Sequence, residues 1–373
     1  MKRTLLTVAM MLCSSVLLFP QKRVTLLFVG DLMQHQAQIE SAHRPDGSYD
    51  YRSCFASVRS LIEGADLAIG NLEVTLGGAP YRGYPTFSAP DEYLSAIREA
   101  GFDVLLTANN HCLDRGRKGL ERTILLLDSL HIPHLGTYRN AREREKQVPL
   151  ILKKNGFRIA LLNYTYGTNG IRVTPPNVVD YIDRTVMAED IRHARSLHPD
   201  ALIVCIHWGE EYQRTPHAAQ RQLADWLLAQ GVTHIIGSHP HVVQPIEVCH
   251  DGLQQHVVVY SLGNFLSNMS APHTDGGLVV TLELEKQPLP PPALPQTPYR
   301  LTPPSQSQTW LYQDGNCHLR SYSTRLVWVA RPKLTGWHDF QLLRTDSVPS
   351  HLPAEARSRL QRFEQTTKAL LQH

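Results

Sequence analysis

Val232-Thr233-His234-Ile235-Ile236-Gly237-Ser238-His239-Pro240-His241 is an apolar, β-branched run that ends in glycine and then in a polar cluster. Continuous apolar runs of this kind read as strands buried on both faces. Two histidines at i and i+2 on an extended segment turn to the same side, and Pro240 stiffens the backbone between them. Both imidazoles can then meet one metal cluster.

The same grammar recurs along the chain. Val24–Val29 ends at Gly30-Asp31, Ala65–Ile69 at Gly70-Asn71-Leu72-Glu73, and Phe102–Thr107 at Asn109-Asn110-His111. Phe157–Leu162 ends at Asn163-Tyr164, Ala201–Ile206 at His207-Trp208-Gly209, and His256–Tyr260 at Ser261-Leu262-Gly263-Asn264. Helical patterns lie between them, at 90–101, 118–130, 186–197 and 217–230, the last stopped by Gly231. Alternating strands and helices imply a layered α/β domain, whose chemistry gathers beyond the carboxyl ends of the strands. One composite site assembled from distant segments is therefore expected.

Beyond residue 275 the pattern changes to two antiparallel strands, Gly277–Glu285 and Leu319–Val329. Residues 288–304, between them, hold 8 of the 25 prolines, which forbids helix or central strand. We read 24–345 as one domain with a proline-rich insertion at 286–309, and 346–373 as a C-terminal amphipathic helix. Its stripe of Ala356, Leu360, Phe363 and Leu370 packs most simply on the parent domain. At the start, Lys2 and Arg3 precede sixteen uncharged residues, Thr4–Phe19. A membrane-spanning helix needs about 20 apolar residues. Residues 1–23 thus read as a signal peptide or anchor, and the expected location is the periplasm or cell envelope.

The 373 residues carry 37 Lys and Arg against 34 Asp and Glu, with no basic block, so no nucleic-acid partner is expected. Six cysteines lack C-x-x-C spacing, which excludes a zinc ribbon; buried free thiols are the simpler reading. No G-x-S-x-G elbow, P-loop or dinucleotide fingerprint is present. Histidine, at 19 copies, is the residue to follow.

Asp31 offers a hard anionic oxygen; its rival role is an N-cap. With Asn71, Asn110, His207, His239 and His241 it makes a ligand set for one or two divalent metals, Mn, Zn or Fe. His111 can donate a proton to a leaving oxygen. Asp114 either orients that histidine or forms an Asx turn before Gly116. Glu73 ligates a metal, orients a ligand or bonds substrate, with helix capping as its plain alternative; we group it with His111 and Asp114 as catalytic. Glu211 and Asn264 are taken as substrate contacts. Met33 is read as packing, and His193, His198 and His217 as structural.

These motifs in combination resemble the CapA family of capsule and poly-γ-glutamate biosynthesis proteins, over about Val24 to Val329. They are Gly30-Asp31-Leu32-Met33, Gly70-Asn71-Leu72-Glu73, Asn109-Asn110-His111 with Asp114 and Gly116, His207-Trp208-Gly209, Gly237-Ser238-His239-Pro240-His241 with Gln244-Pro245, and Tyr260–Phe265. Tyr84–Pro90 also looks like a family loop. The resemblance implies a calcineurin-like metallophosphoesterase fold, a two-sheet β-sandwich flanked by helices with metals at one edge. Ordinary metallophosphoesterases begin Asp-x-His, where this chain has Met33, and continue Gly-Asp-x-x-Asp, where it has Gly70-Asn71-Leu72-Glu73. One metal position so loses a nitrogen, and the bridging carboxylate is absent or moved to Glu73. Two functions are implied. One is an exported metal-dependent hydrolase or transferase acting on a surface polymer or small phosphoester. The other is a non-catalytic assembly protein of a polymer machine, beside membrane-bound synthase components.

Overall fold

The computed structural model describes residues 22–251, 254–286 and 317–372. The expected leader and most of the proline-rich insertion lie outside the described residues.

Two sheets form the centre. In spatial order the first runs Gln341–Arg344, Cys317–Ala330, Gly276–Lys286, Lys22–Leu32, Leu67–Leu72, Val104–Leu106 and His134–Leu135, and Asn264–Leu266 also pairs with Lys22–Leu32. The second runs Ile246–His250, Gln255–Val259, His234–Ser238, Ala201–His207, Phe157–Thr165 and Leu150–Lys154. The central strands of each are parallel; antiparallel strands close both edges of the second sheet and one edge of the first, whose other edge strand, His134–Leu135, is parallel.

Alternation along the strands explains the layering. Val24, Leu26 and Phe28 face the space between the sheets, where they meet Ile159, Leu161, Ile203 and Val259. Leu27 and Val29 point the other way, onto Phe55, Ile62, Leu94 and Ile97 of the covering helices. In the second sheet, Ala160, Leu162, Leu202 and Val204 face Met187, Ile191, Leu223 and Leu227, carried by helices Arg184–Ser196 and Ala218–Ala229. Successive side chains point to opposite faces, so strands covered on both faces must be apolar throughout. The result is the two-sheet sandwich between helical layers. The last helix, Ala354–Leu371, lays Ala356, Leu360 and Phe363 on the inter-sheet core. Cys54, Cys112, Cys205, Cys249 and Cys317 are free thiols.

Register brings the polar ends together. Asp31 is opposite Asn71 on one side and Asn264 on the other. In the second sheet His207 is opposite both Ser238 and Thr165. Two glycines permit the crowding there: a Cβ on Gly30 would stand 1.8 Å from the carbonyl oxygen of Gly263, and one on Gly237 2.0 Å from that of Tyr260.

One local expectation fails. The strand ends at Ser238, and His239-Pro240-His241 bends away rather than running on extended, with φ of 101° at His239 and 58° at His241. Side chains other than glycine rarely occupy this region, and such strain gathers at functional sites. Surrounding backbone bonds hold it: the Trp208 N–H donates to the Ser238 carbonyl at 3.1 Å, and the Tyr212 N–H to that of Pro240 at 2.8 Å.

Candidate metal centre

Glu73 is the focus. It follows strand Leu67–Leu72, is 0% exposed, and neither carboxylate oxygen has a hydrogen-bond partner among the described residues. Burial, then the nearby charge of Asp31, holds its pKa well above the usual carboxylate range. Its Oε1 lies 3.6 Å from His207 Nε2 and 3.8 Å from His241 Nε2. Two groups can each converge on a cation, Glu73 with His239 and His241, and Asp31 with Glu73 and His207; Glu73 is common to both. Hence its geometry fits the candidate ligands, in the place of a shared carboxylate, which is one of the roles its sequence position left open.

The neighbours are ordered by second contacts. Asp31 accepts from the Asn71 carboxamide at 2.8 Å and meets His241 Nδ1 at 3.1 Å. The Asn110 side-chain Oδ1 is 2.9 Å from His207 Nε2. Asn71 turns its nitrogen to Asp31, while its oxygen accepts from Asn109 at 3.4 Å. It therefore supports the cluster, and a half-turn of the carboxamide would present oxygen to a cation. His239 Nδ1 is buried without a partner among the described residues. Burial, then the neighbouring His241, pushes its pKa down to about 3, and burial with His239 drives His207 well below the usual range. Both stay neutral, as metal ligation requires.

His111 and Asp114 form a different unit. His111 Nδ1 is 2.8 Å from Asp114 Oδ2, which also accepts from the Phe87 N–H at 2.7 Å. The orienting reading of Asp114 is the geometry observed. The Phe87 ring packs edge-on against the imidazole at 4.6 Å between centroids.

Asn264 and Glu211 part company. Asn264, expected to touch substrate, is fully buried and committed: its oxygen meets His241 Nδ1 at 3.0 Å and its nitrogen donates to the Thr274 carbonyl at 2.8 Å. It is a support for His241. Glu211 is exposed at the rim, near enough for its charge to raise the pKa of both Glu73 and Tyr166. Met33 is packed in the apolar core.

Two residues of the site, Tyr166 and Asn169, escaped the sequence reading. Tyr166 lies over His239 at 4.5 Å and nearly parallel to His207 at 6.3 Å, while 47% exposed, so it roofs the cluster. Asn169, three residues on, accepts from Asn110 at 3.2 Å and stands 3.5 Å from His111 Nδ1. Asn109 donates to the Leu72 carbonyl at 2.8 Å. For Tyr166 and Asn169 the sole available signal was their place just past an apolar run.

Residues 25–269 match the family described as Bacterial capsule synthesis protein PGA_cap. Capsule biosynthesis protein CapA of Bacillus anthracis is 29% identical over 276 residues, 70% of this chain and 64% of that protein. PGA biosynthesis protein CapA of Bacillus subtilis (strain 168) is 29% identical over 271 residues, 69% of this chain and 67% of that one. The match therefore spans about two thirds of these relatives' length. Among solved structures, a hypothetical protein from Thermus thermophilus aligns with 81% of this chain and 98% of its own, at a TM-score of 0.41 and 13% identity. A 5'-nucleotidase from Candida albicans aligns with 94% of this chain and 59% of its own, at a TM-score of 0.41 and 11% identity. With well over half its length matched and its strand-end motifs inside that stretch, this chain belongs to the bacterial capsule synthesis protein family.

Proposed function

We propose that the protein is an exported, divalent-metal-dependent hydrolase or transferase acting on an envelope polymer or a small phosphoester during surface-polymer synthesis. The observation that carries this reading is the Glu73 carboxylate, sealed from water and left without a partner among three imidazoles. A buried polar group without a partner is costly, and a cation is the partner these atoms fit. Asp31, Glu73, His207, His239 and His241 would hold it, with the Asn110 oxygen beside them. When bound, such an ion lowers the pKa of water and clamps an in-line displacement. Asp114 holds the proton of His111 at Nδ1, which leaves Nε2 to give a proton to, or take one from, the reacting oxygen. Tyr166 limits access of bulk water from above.

Export rests on the N-terminal sequence alone. Among the described residues no helix is long and apolar enough to cross a membrane. Membrane-bound polymer synthase components are the partners that an envelope role would require. The test is a hydrolysis screen of phosphoesters and γ-glutamyl peptides with Mn, Zn and Fe. Turnover that disappears in His111→Ala supports the reading. A metal-loaded chain inert to every substrate class would favour the assembly role.

A further inference from the structure

Two of the most exposed aromatic rings among the described residues are fastened to the candidate metal centre. Tyr84, 72% exposed, rises from the loop 82–88. The ends of that loop are clamped by the Arg82 N–H donating to the Ser88 carbonyl at 3.0 Å and by the reverse bond at 2.9 Å. Its ring stands edge-on to His111 at 6.5 Å and to Phe87 at 6.3 Å between centroids. Phe87, in the same loop, packs on His111 and donates its N–H to Asp114, so the loop is fixed to that dyad. Tyr166 follows strand Phe157–Thr165, donates its N–H to the His207 carbonyl at 3.0 Å and lays its ring on His239.

The two rings are joined through the site itself. Tyr84 meets His111, whose Nδ1 is 3.5 Å from the Asn169 carboxamide; that carboxamide accepts from Asn110 at 3.2 Å. Asn110 reaches His207 at 2.9 Å, and the His207 ring is stacked with Tyr166 at 6.3 Å. Exposed apolar residues scattered singly are ordinary, but two rings held on one polar cluster and left largely to solvent mark a place where something packs.

Charge narrows what that is. Among the described residues, Asp31, Glu73 and Asp114 have only histidines as ion partners. One divalent ion would neutralise Asp31 and Glu73 and leave the carboxylate of Glu211 at the exposed rim. Burial, then the Glu211 charge, pushes the Tyr166 hydroxyl up to about 12, so it stays a hydrogen-bond donor at neutral pH. A polyanion such as γ-linked glutamate meets like charge here. A neutral sugar ring suits the place: its C–H face packs on an electron-rich aromatic face, while its hydroxyls donate to a carboxylate and accept from a phenol.

We infer that Tyr84, on the His111 side, and Tyr166, on the His239 side, form a stacking subsite for the neutral sugar ring of a glycan. The inference deepens the proposed function by naming its substrate class, and it rests on that reading for where the reaction takes place. It requires only binding, not turnover.

The test is titration calorimetry of the full chain, with and without metal, against cellotetraose, chitotetraose, tetra-γ-glutamate and AMP. At least one tetrasaccharide should bind, and more tightly than tetra-γ-glutamate or AMP. Tyr166→Ala and Tyr84→Ala should each weaken that binding by about 10-fold. Tyr84→Phe, which keeps the ring, should stay within about 3-fold of native. Tyr322→Ala, an exposed tyrosine on strand Cys317–Ala330, should change nothing. No binding of either tetrasaccharide, tighter binding of tetra-γ-glutamate or of AMP, or native-like affinity in both alanine variants overturns the inference. Failure of the metal reading stays distinct, because Glu73→Gln should lose metal while keeping the affinity that the metal-free native chain shows for the tetrasaccharide.

Discussion

Glu73 and His111 are both buried just past strand ends, yet their surroundings are opposite. The carboxylate has no hydrogen bond on either oxygen among the described residues, and His239 beside it has an unpartnered Nδ1. The imidazole of His111 is held by Asp114, which the Phe87 backbone holds in turn. An unsatisfied cluster invites something from outside, and a satisfied dyad is already set for a task of its own. The comparison teaches that burial alone does not define a ligand. What separates ligand from proton carrier is whether the protein has supplied the partner.

Ligand removal is expected to have the largest effect on this contrast. His239→Ala or His241→Ala should lower metal affinity by about 100-fold or more and remove the stabilisation that bound metal contributes, measured by elemental analysis and thermal denaturation. His111→Ala should leave metal content nearly intact while reducing turnover by about 10²- to 10⁴-fold. If His111→Ala strips metal as thoroughly as His239→Ala, the distinction collapses. Asn264→Ala sharpens the comparison from the supporting side. As a partner of a ligand it should cost about 10- to 100-fold in metal affinity, and competition against a chromogenic chelator reads this directly.

The smallest effect is on stability against pH. His234, remote from the cluster and accepting from the Val257 N–H at 3.1 Å, has its pKa pushed down to about 3 by burial. The folded chain keeps it neutral, whereas the unfolded chain takes a proton below about 6.5. Its contribution is therefore complete above pH 6.5 and is lost as pH falls toward 3. His239 behaves likewise in the metal-free chain. Glu73 has the opposite sign: its raised pKa means stability that erodes as pH climbs above its ordinary value of 4.5. Urea midpoints at about pH 7.5 and about pH 5.5 should fall on acidification, and less steeply in His234→Asn. An unchanged slope in that variant would show that His234 is not the buried neutral group described.

Much of this was legible in the sequence because strands covered on both faces must be apolar along their whole length. Val24–Val29 and Ala201–Ile206 announce themselves, and so do the polar residues that follow them. Edge strands such as Leu150–Lys154 and Ile246–His250 are only half covered, so their mixed composition gives no comparable signal. The bend at His239 and His241 was missed because its strain is imposed by tertiary bonds from Trp208 and Tyr212. Sequence alone could not sort Glu73 between ligand and acid–base roles, for a related reason. Its role depends on His207 and His241, more than a hundred residues away, and no local spacing records that. Asn264 looked like a substrate contact because sequence position gives an address but not a direction. Tyr166 and Asn169 lie in a loop whose importance comes only from what it covers.

Metal titration of the native chain and of Glu73→Gln, with both confirmed as folded by circular dichroism, tests the central claim most directly. The native chain should bind one or two equivalents of Mn, Zn or Fe and gain thermal stability. Glu73→Gln should bind far more weakly while keeping the native fold. A folded native chain that takes up no metal, or a Glu73→Gln variant that binds as tightly as the native one, would contradict the account.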